Sequence, residues 1–126
     1  MKRNLSLLLL LALWCTAQAA IKLPEIIGND MVLQQRTQAR LWGKADAYAT
    51  VSADADWLGQ PVTTRADKNG NWSLMLPTPT AAKQEHRIVL SENGIQQTVL
   101  ERVLIGEVWF ASGQSNMEMP LNGFWN

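Results

Sequence analysis

The sequence predicts a mostly β fold, an N-terminal β-sandwich followed by the opening strand of a second domain. Three observations carry this. Short runs with period-two alternation recur between Gly, Asn, Asp and Pro, the pattern of half-buried strands joined by turns. No long helical periodicity precedes residue 111. At Gly106 the pattern changes, and Glu107 to Ala111 is a short, mostly apolar run without clean alternation, which suits a strand covered on both faces.

The first segment stands apart from this fold. Lys2 and Arg3 lead into the apolar run Leu5 to Trp14, and Ala17-Gln18-Ala19 offers a small-x-small cleavage site. That order predicts a signal peptide over residues 1–19 and an exported protein, periplasmic or extracellular. A membrane anchor competes poorly, because the run is about half of the roughly 20 residues needed to span a bilayer. Lipidation at Cys15 fits poorly too, since Trp14 stands where a small residue is wanted. After cleavage no cysteine remains, so no disulfide helps the fold. The 11 basic side chains balance 11 acidic ones, and losing Lys2 and Arg3 leaves a slight acidic excess. A nucleic-acid partner, which wants a basic face, is therefore not expected. Nor is a membrane, once the leader is gone.

The strands follow in order. Ala39 to Lys44 reads as a short strand. In Thr50 to Trp57, Val51, Ala53, Ala55 and Trp57 alternate with Ser52, Asp54 and Asp56, giving a strand with one buried and one wet face. Gln60 to Arg65 and Asn71 to Leu76 flank Asp67-Lys68-Asn69-Gly70, whose turn chemistry predicts a hairpin. Pro77 and Pro79 break the pattern. His86 to Glu92 and Ile95 to Glu101 are separated by Asn93-Gly94, the residue pair a tight type I′ hairpin demands. These strands bound the sandwich at residues 23–104.

From Gly106, Glu107 to Ala111 reads as a doubly buried strand leading into Ser112-Gly113-Gln114-Ser115-Asn116-Met117. Such a strand needs covering layers, so residues 106–126 read as the truncated start of a second domain. A serine on a small, glycine-bearing loop after a buried strand is how many hydrolases present a nucleophile. The same pattern also describes an ordinary strand-end turn. The G-x-S-x-G elbow is not matched, since Met117 replaces its second glycine.

The run GQSNMEMPL, preceded by VLIGEVWFAS, closely resembles the nucleophile block of the sialate O-acetylesterases, members of the SGNH-type hydrolase superfamily. The resemblance extends upstream through LPEIIGNDMVLQQ, ARLWGKA and GNWSLMLP. It implies a β-sandwich followed by a three-layer α/β/α SGNH-type hydrolase domain, of which this chain holds the first strand and nucleophile loop. It also implies an O-acetylated carbohydrate substrate, sialic acid or a related sugar. By the same match Ser115 is the nucleophile and its own N–H one oxyanion donor. Gly113 lets the loop turn closely beneath it, while Gln114 and Asn116 position the loop or touch substrate. The expected chemistry is two-step acyl transfer, needing no cofactor and no metal. The family's Asp-x-x-His pair is absent: no aspartate has a histidine three positions on. A serine without its base is a weak nucleophile, so these residues alone are expected to be inactive.

Other polar and aromatic residues read more plainly. His86 reads as an ordinary strand residue, and Asp54 and Asp56 as a solvated face rather than cation ligands. Trp42, Trp57, Trp72 and Trp109 could make a sugar platform, but most are expected in the core. Trp125 could line a pocket beside Ser115. The competing function is a non-catalytic, secreted, carbohydrate-binding β-sandwich; the serine block argues against it. Nothing in the sequence indicates an oligomeric state.

Overall fold

A computed structural model describes residues 20–112. The expected leader lies outside them, as do Gly113, Gln114, Ser115, Asn116 and Trp125. The described residues form seven strands and no helix: β1 (Val32–Gln34), β2 (Gln38–Lys44), β3 (Thr50–Ala55), β4 (Val62–Arg65), β5 (Asn71–Pro77), β6 (His86–Glu92) and β7 (Ile95–Gly106). They build a five-stranded sheet, β1-β7-β6-β3-β4, and a two-stranded sheet, β2-β5.

Alternation sets what each strand buries. Val51, Ala53 and Ala55 of β3 are fully buried, as are Ile88 and Leu90 of β6 and Val103 of β7. From the smaller sheet come Leu41, Trp72, Leu74 and Leu76, and both sheets share one apolar cluster. Each large aliphatic side chain removed from water there contributes about 1.5–3 kcal/mol. A hydrogen bond also crosses between the sheets: Trp57 Nε1 donates to Pro77 O at 2.8 Å. The smaller sheet is closed at one end by Lys22, which exchanges two backbone bonds of 2.8 Å with Lys44. That approach requires Gly43, where a Cβ would lie 2.3 Å from Lys22 O.

The Asn93-Gly94 turn forms as the sequence predicts. Glu92 pairs with Ile95, and the two turn residues take φ values of 49° and 80°. Asn93 is further tied to β3, accepting from Thr50 N at 2.9 Å through Oδ1.

Three expectations need correction. The Asp67–Gly70 turn forms, with Asp67 Oδ1 accepting from Asn69 N and Asn71 N at 2.8 and 2.9 Å. Yet β4 and β5 are not a hairpin: β4 pairs with β3, and β5 with β2. The turn is held by Ala45, whose N–H donates to Gly70 O, and by Tyr48, whose N–H donates to Asp67 O. Turn residues dictate that the chain reverses; the partners on either side decide which sheet each strand joins.

Second, Glu107 to Ala111 form no strand among the described residues. Trp109 and Phe110 are 86% and 93% exposed. No described strand runs beside this segment, so its backbone groups have no ladder to join. Third, most tryptophans are not core. Trp72 is (4% exposed), and Trp57 packs half-buried against it, but Trp42 is 38% exposed on the outer face of β2. Strand β1 and its parallel pairing with β7 carried no sequence signal, because three residues are too few to show a period.

Candidate functional site: the approach to the serine loop

Strand β7 delivers the chain to the residues before the serine block, and its course is shaped by a bulge and a change of partner. It begins antiparallel to β6. Between the pairs Ile88–Leu100 and His86–Val103 the register shifts, so β7 carries one residue more than β6 there, a bulge. Arg102 sits in it with φ of 53°, in the left-handed region. Past the bulge, Leu104, Ile105 and Gly106 pair in parallel with Val32, Leu33 and Gln34 of β1.

The loop before β1 holds the bulge. Asn29 Oδ1 accepts from Glu101 N at 2.9 Å, and Asp30 N donates to Glu101 O at 3.0 Å. Arg102 Nε and Nη2 donate to the two Asp30 carboxylate oxygens at 2.6 and 2.9 Å. These bonds hold the Asp30 carboxyl below the usual carboxylate range, the Arg102 hydrogen bond being the main cause.

At the far end of β1 two glutamines receive the chain. Gln34 Nε2 donates to Glu107 Oε2 at 2.9 Å, while its Oε1 accepts from Val108 N at 2.7 Å. Gln35 Nε2 donates to Glu107 Oε1, and its Oε1 accepts from Ala81 N at 2.9 Å. The Gln35 backbone N–H donates to Gly106 O at 2.8 Å. Behind them the buried Thr78 hydroxyl donates to Gln34 O at 2.6 Å. The Gln34 and Gln35 amides, in that order, and then the positive charge of Arg36 lower the Glu107 carboxyl below its ordinary value.

His86 is the sole histidine of the sequence. Its Nδ1 lies 2.8 Å from Asp56 Oδ1, and its ring meets Trp57 edge-on at 5.0 Å. The second Asp56 oxygen accepts from Arg87 N at 2.9 Å. Buried at the start of β6 and engaged on its Nδ1 side, His86 fastens the β3 end to β6. This agrees with its reading as a strand residue. Asp54 is exposed, as a solvated face requires.

The four residues singled out by sequence, Gly113, Gln114, Ser115 and Asn116, lie beyond Ser112, the last described residue. What the described part adds is the function of the upstream LPEIIGNDMVLQQ block. Its Asn29 and Asp30 fix the β7 bulge, and its Gln34 and Gln35 grip Glu107 and Val108. Sequence reasoning assigned these four no role. Two adjacent amides after a short apolar run was the available sign, but it is a weak one.

No family model matches the chain. The fold is similar to that of a carbohydrate acetylesterase from Xanthomonas citri, solved by crystallography. The match has a TM-score of 0.67 and 32% identity, and covers 80% of this chain and 22% of that one. The sialate O-acetylesterases of Homo sapiens and Pongo abelii are each 32% identical to it over 97% of its length and 25% of theirs. That of Rattus norvegicus is 30% identical over 98% of this chain. By fold, then, the chain is similar to a part of a carbohydrate acetylesterase. In sequence it is a homologue of the sialate O-acetylesterases, and it spans about a quarter of the length of the curated relatives it matches.

Proposed function

We propose that this chain is the N-terminal part of an exported serine esterase that removes O-acetyl groups from sialic acid or a related sugar. In this reading residues 23–104 form a β-sandwich that supports an SGNH-type catalytic domain beginning near Gly106. Ser115 is the nucleophile, Gly113 gives its loop room to turn, and Gln114 and Asn116 position the loop or contact the sugar. The observation that carries the reading is the similarity to enzymes named for this activity over 97% of the chain, together with the GQSNM block that follows β7.

The chemistry follows from the serine. Ser115 Oγ adds to the acetyl carbonyl as a histidine takes its proton, and the oxyanion is held by backbone N–H groups including that of Ser115. Collapse expels the sugar hydroxyl, which recovers the proton, and leaves acetyl on Ser115. Water, activated by the same histidine, then releases acetate. His86 is unsuited to be that base, since it is buried at the start of β6 with its ring packed edge-on against Trp57. The histidine of this scheme therefore comes from sequence beyond these residues, and the 126 residues alone are inactive.

The test is covalent labelling. In the complete enzyme a fluorophosphonate should modify Ser115, read by peptide mass, and an O-acetylated sialic acid should protect it. Labelling of another serine, with Ser115 untouched, overturns the assignment.

A further inference from the structure

We infer that Glu107 is a positioning residue for the serine loop, locked by Gln34 and Gln35 so that the chain leaves the β domain in one direction. This rests on the reading of Ser115 as the nucleophile.

The geometry differs from an ordinary surface contact. Both Glu107 oxygens are engaged, one by each glutamine. Each glutamine in turn uses both ends of its amide: Gln34 on Glu107 and Val108 N, Gln35 on Glu107 and Ala81 N. Every donor faces an acceptor, so neither amide can flip without losing two bonds. The grip also ties three separate parts of the chain together. Gln34 and Gln35 come from the end of β1, Ala81 from the connection after β5, and Glu107 with Val108 from the exit of β7. Backbone pairing of Gln34 with Gly106, and the Thr78 hydroxyl on Gln34 O, hold the base of the clamp.

A carboxylate receiving amide donors makes charge-assisted bonds, stronger than neutral ones. An exposed site needs no such arrangement merely to stay folded. A nucleophile does need it, because its loop must hold one hydroxyl within a fraction of an ångström of the attack position. Here the grip acts on the Glu107 carboxylate and the Val108 N–H, where the apolar segment that runs to Ser112 begins. Its effect on reaction is through the orientation of that segment, and it touches no substrate.

The experiment uses the complete enzyme and three variants: Glu107→Ala, Gln34→Glu, and the double Gln34→Glu/Glu107→Gln. The first removes the acceptor. The second sets two carboxylates against each other. The double variant exchanges donor and acceptor while retaining every bond of the clamp. Both single variants should lower kcat by about 10- to 100-fold, with KM close to wild type, at most a small fall in melting temperature, and fluorophosphonate labelling slowed in parallel. The double variant should regain most of the lost kcat. Wild-type kcat in Glu107→Ala overturns the inference. So does a fall in kcat matched by a fall in melting temperature that the double variant reverses only in stability. Ser115→Ala, assayed alongside, separates the two claims: if it stays active, the reading of the nucleophile has failed rather than the clamp.

Discussion

Asp30 and Arg102 both adopt left-handed backbone, with φ of 63° and 53°, and face each other in a two-bond ion pair across the β7 bulge. Neither conformation is comfortable for a side-chain-bearing residue, and each is held by its partner and by the Asp30–Glu101 backbone bond. Arg102→Gly should therefore be tolerated better than Arg102→Val. Glycine accepts the backbone angle although it loses the ion pair, whereas a β-branched residue loses the pair and adds strain. Melting temperatures of the two variants measure this, and a more stable Arg102→Val would show that the bulge is not held at positive φ.

Acid should loosen the fold at three separate places. The carboxyls of Asp30, Asp67 and Glu107 all sit below their ordinary values, held respectively by Arg102, by the Asn71 backbone N–H and by the Gln34 side-chain amide. A carboxyl lowered on folding contributes stability that is fully present above its unfolded value and is lost as pH falls through the folded one. Stability should thus be flat near neutrality and decline once pH drops below the usual carboxylate range. Glu107→Gln and Asp67→Asn should each make that decline shallower in urea titrations at stepped pH. An acid slope unchanged in both variants would contradict the assignment.

Two glycines separate backbone conformation from crowding. Gly70 and Gly94 share a φ of 80°, but a Cβ on Gly70 would sit 2.2 Å from Ala45 O while one on Gly94 meets nothing within 4 Å. Gly94→Ala should cost about 1–2 kcal/mol, the penalty for left-handed backbone alone. Gly70→Ala should cost about 1–3 kcal/mol more, because the turn must also move away from Ala45. Equal urea midpoints would mean that the contact with Ala45 is not maintained in solution.

A shortened chain of residues 20–106 should fold alone, melting cooperatively with a β-type circular dichroism spectrum, since both sheets close on one core within it. Extending it through Phe110 should reduce solubility, because Val108, Trp109 and Phe110 are exposed and a contiguous apolar surface invites association. Sedimentation of the two forms side by side checks this. Greater solubility of the longer form would mean that these side chains are covered.

The sequence was most readable where the cause is local. Val51, Ala53 and Ala55 alternate with Ser52 and Asp54, and that alternation alone sets the two faces of β3. Asn93-Gly94 likewise carries its turn type in two residues. Pairing across the chain was not readable. Asp67-Lys68-Asn69-Gly70 shows a reversal without showing that β4 and β5 leave it for different sheets, which depends on bonds to Ala45 and Tyr48. For the site, the GQSNM block supplied the nucleophile by resemblance. The work of Asn29, Asp30, Gln34 and Gln35 became visible only once β1 lay beside the end of β7. Their partners on and after β7 stand more than seventy positions away, beyond the reach of any local pattern.

Release of acetate from an O-acetylated sialic acid by the complete enzyme, compared between wild type and Ser115→Ala, tests the central claim most directly. Loss of a triad nucleophile lowers turnover by about 10⁴- to 10⁶-fold, so Ser115→Ala should be almost inert while keeping its melting temperature. Ser112→Ala, three positions earlier, should cost far less. Retention of more than about a tenth of wild-type turnover by Ser115→Ala is incompatible with an acetyl-enzyme on that residue, and loss confined to Ser112→Ala would move the nucleophile there.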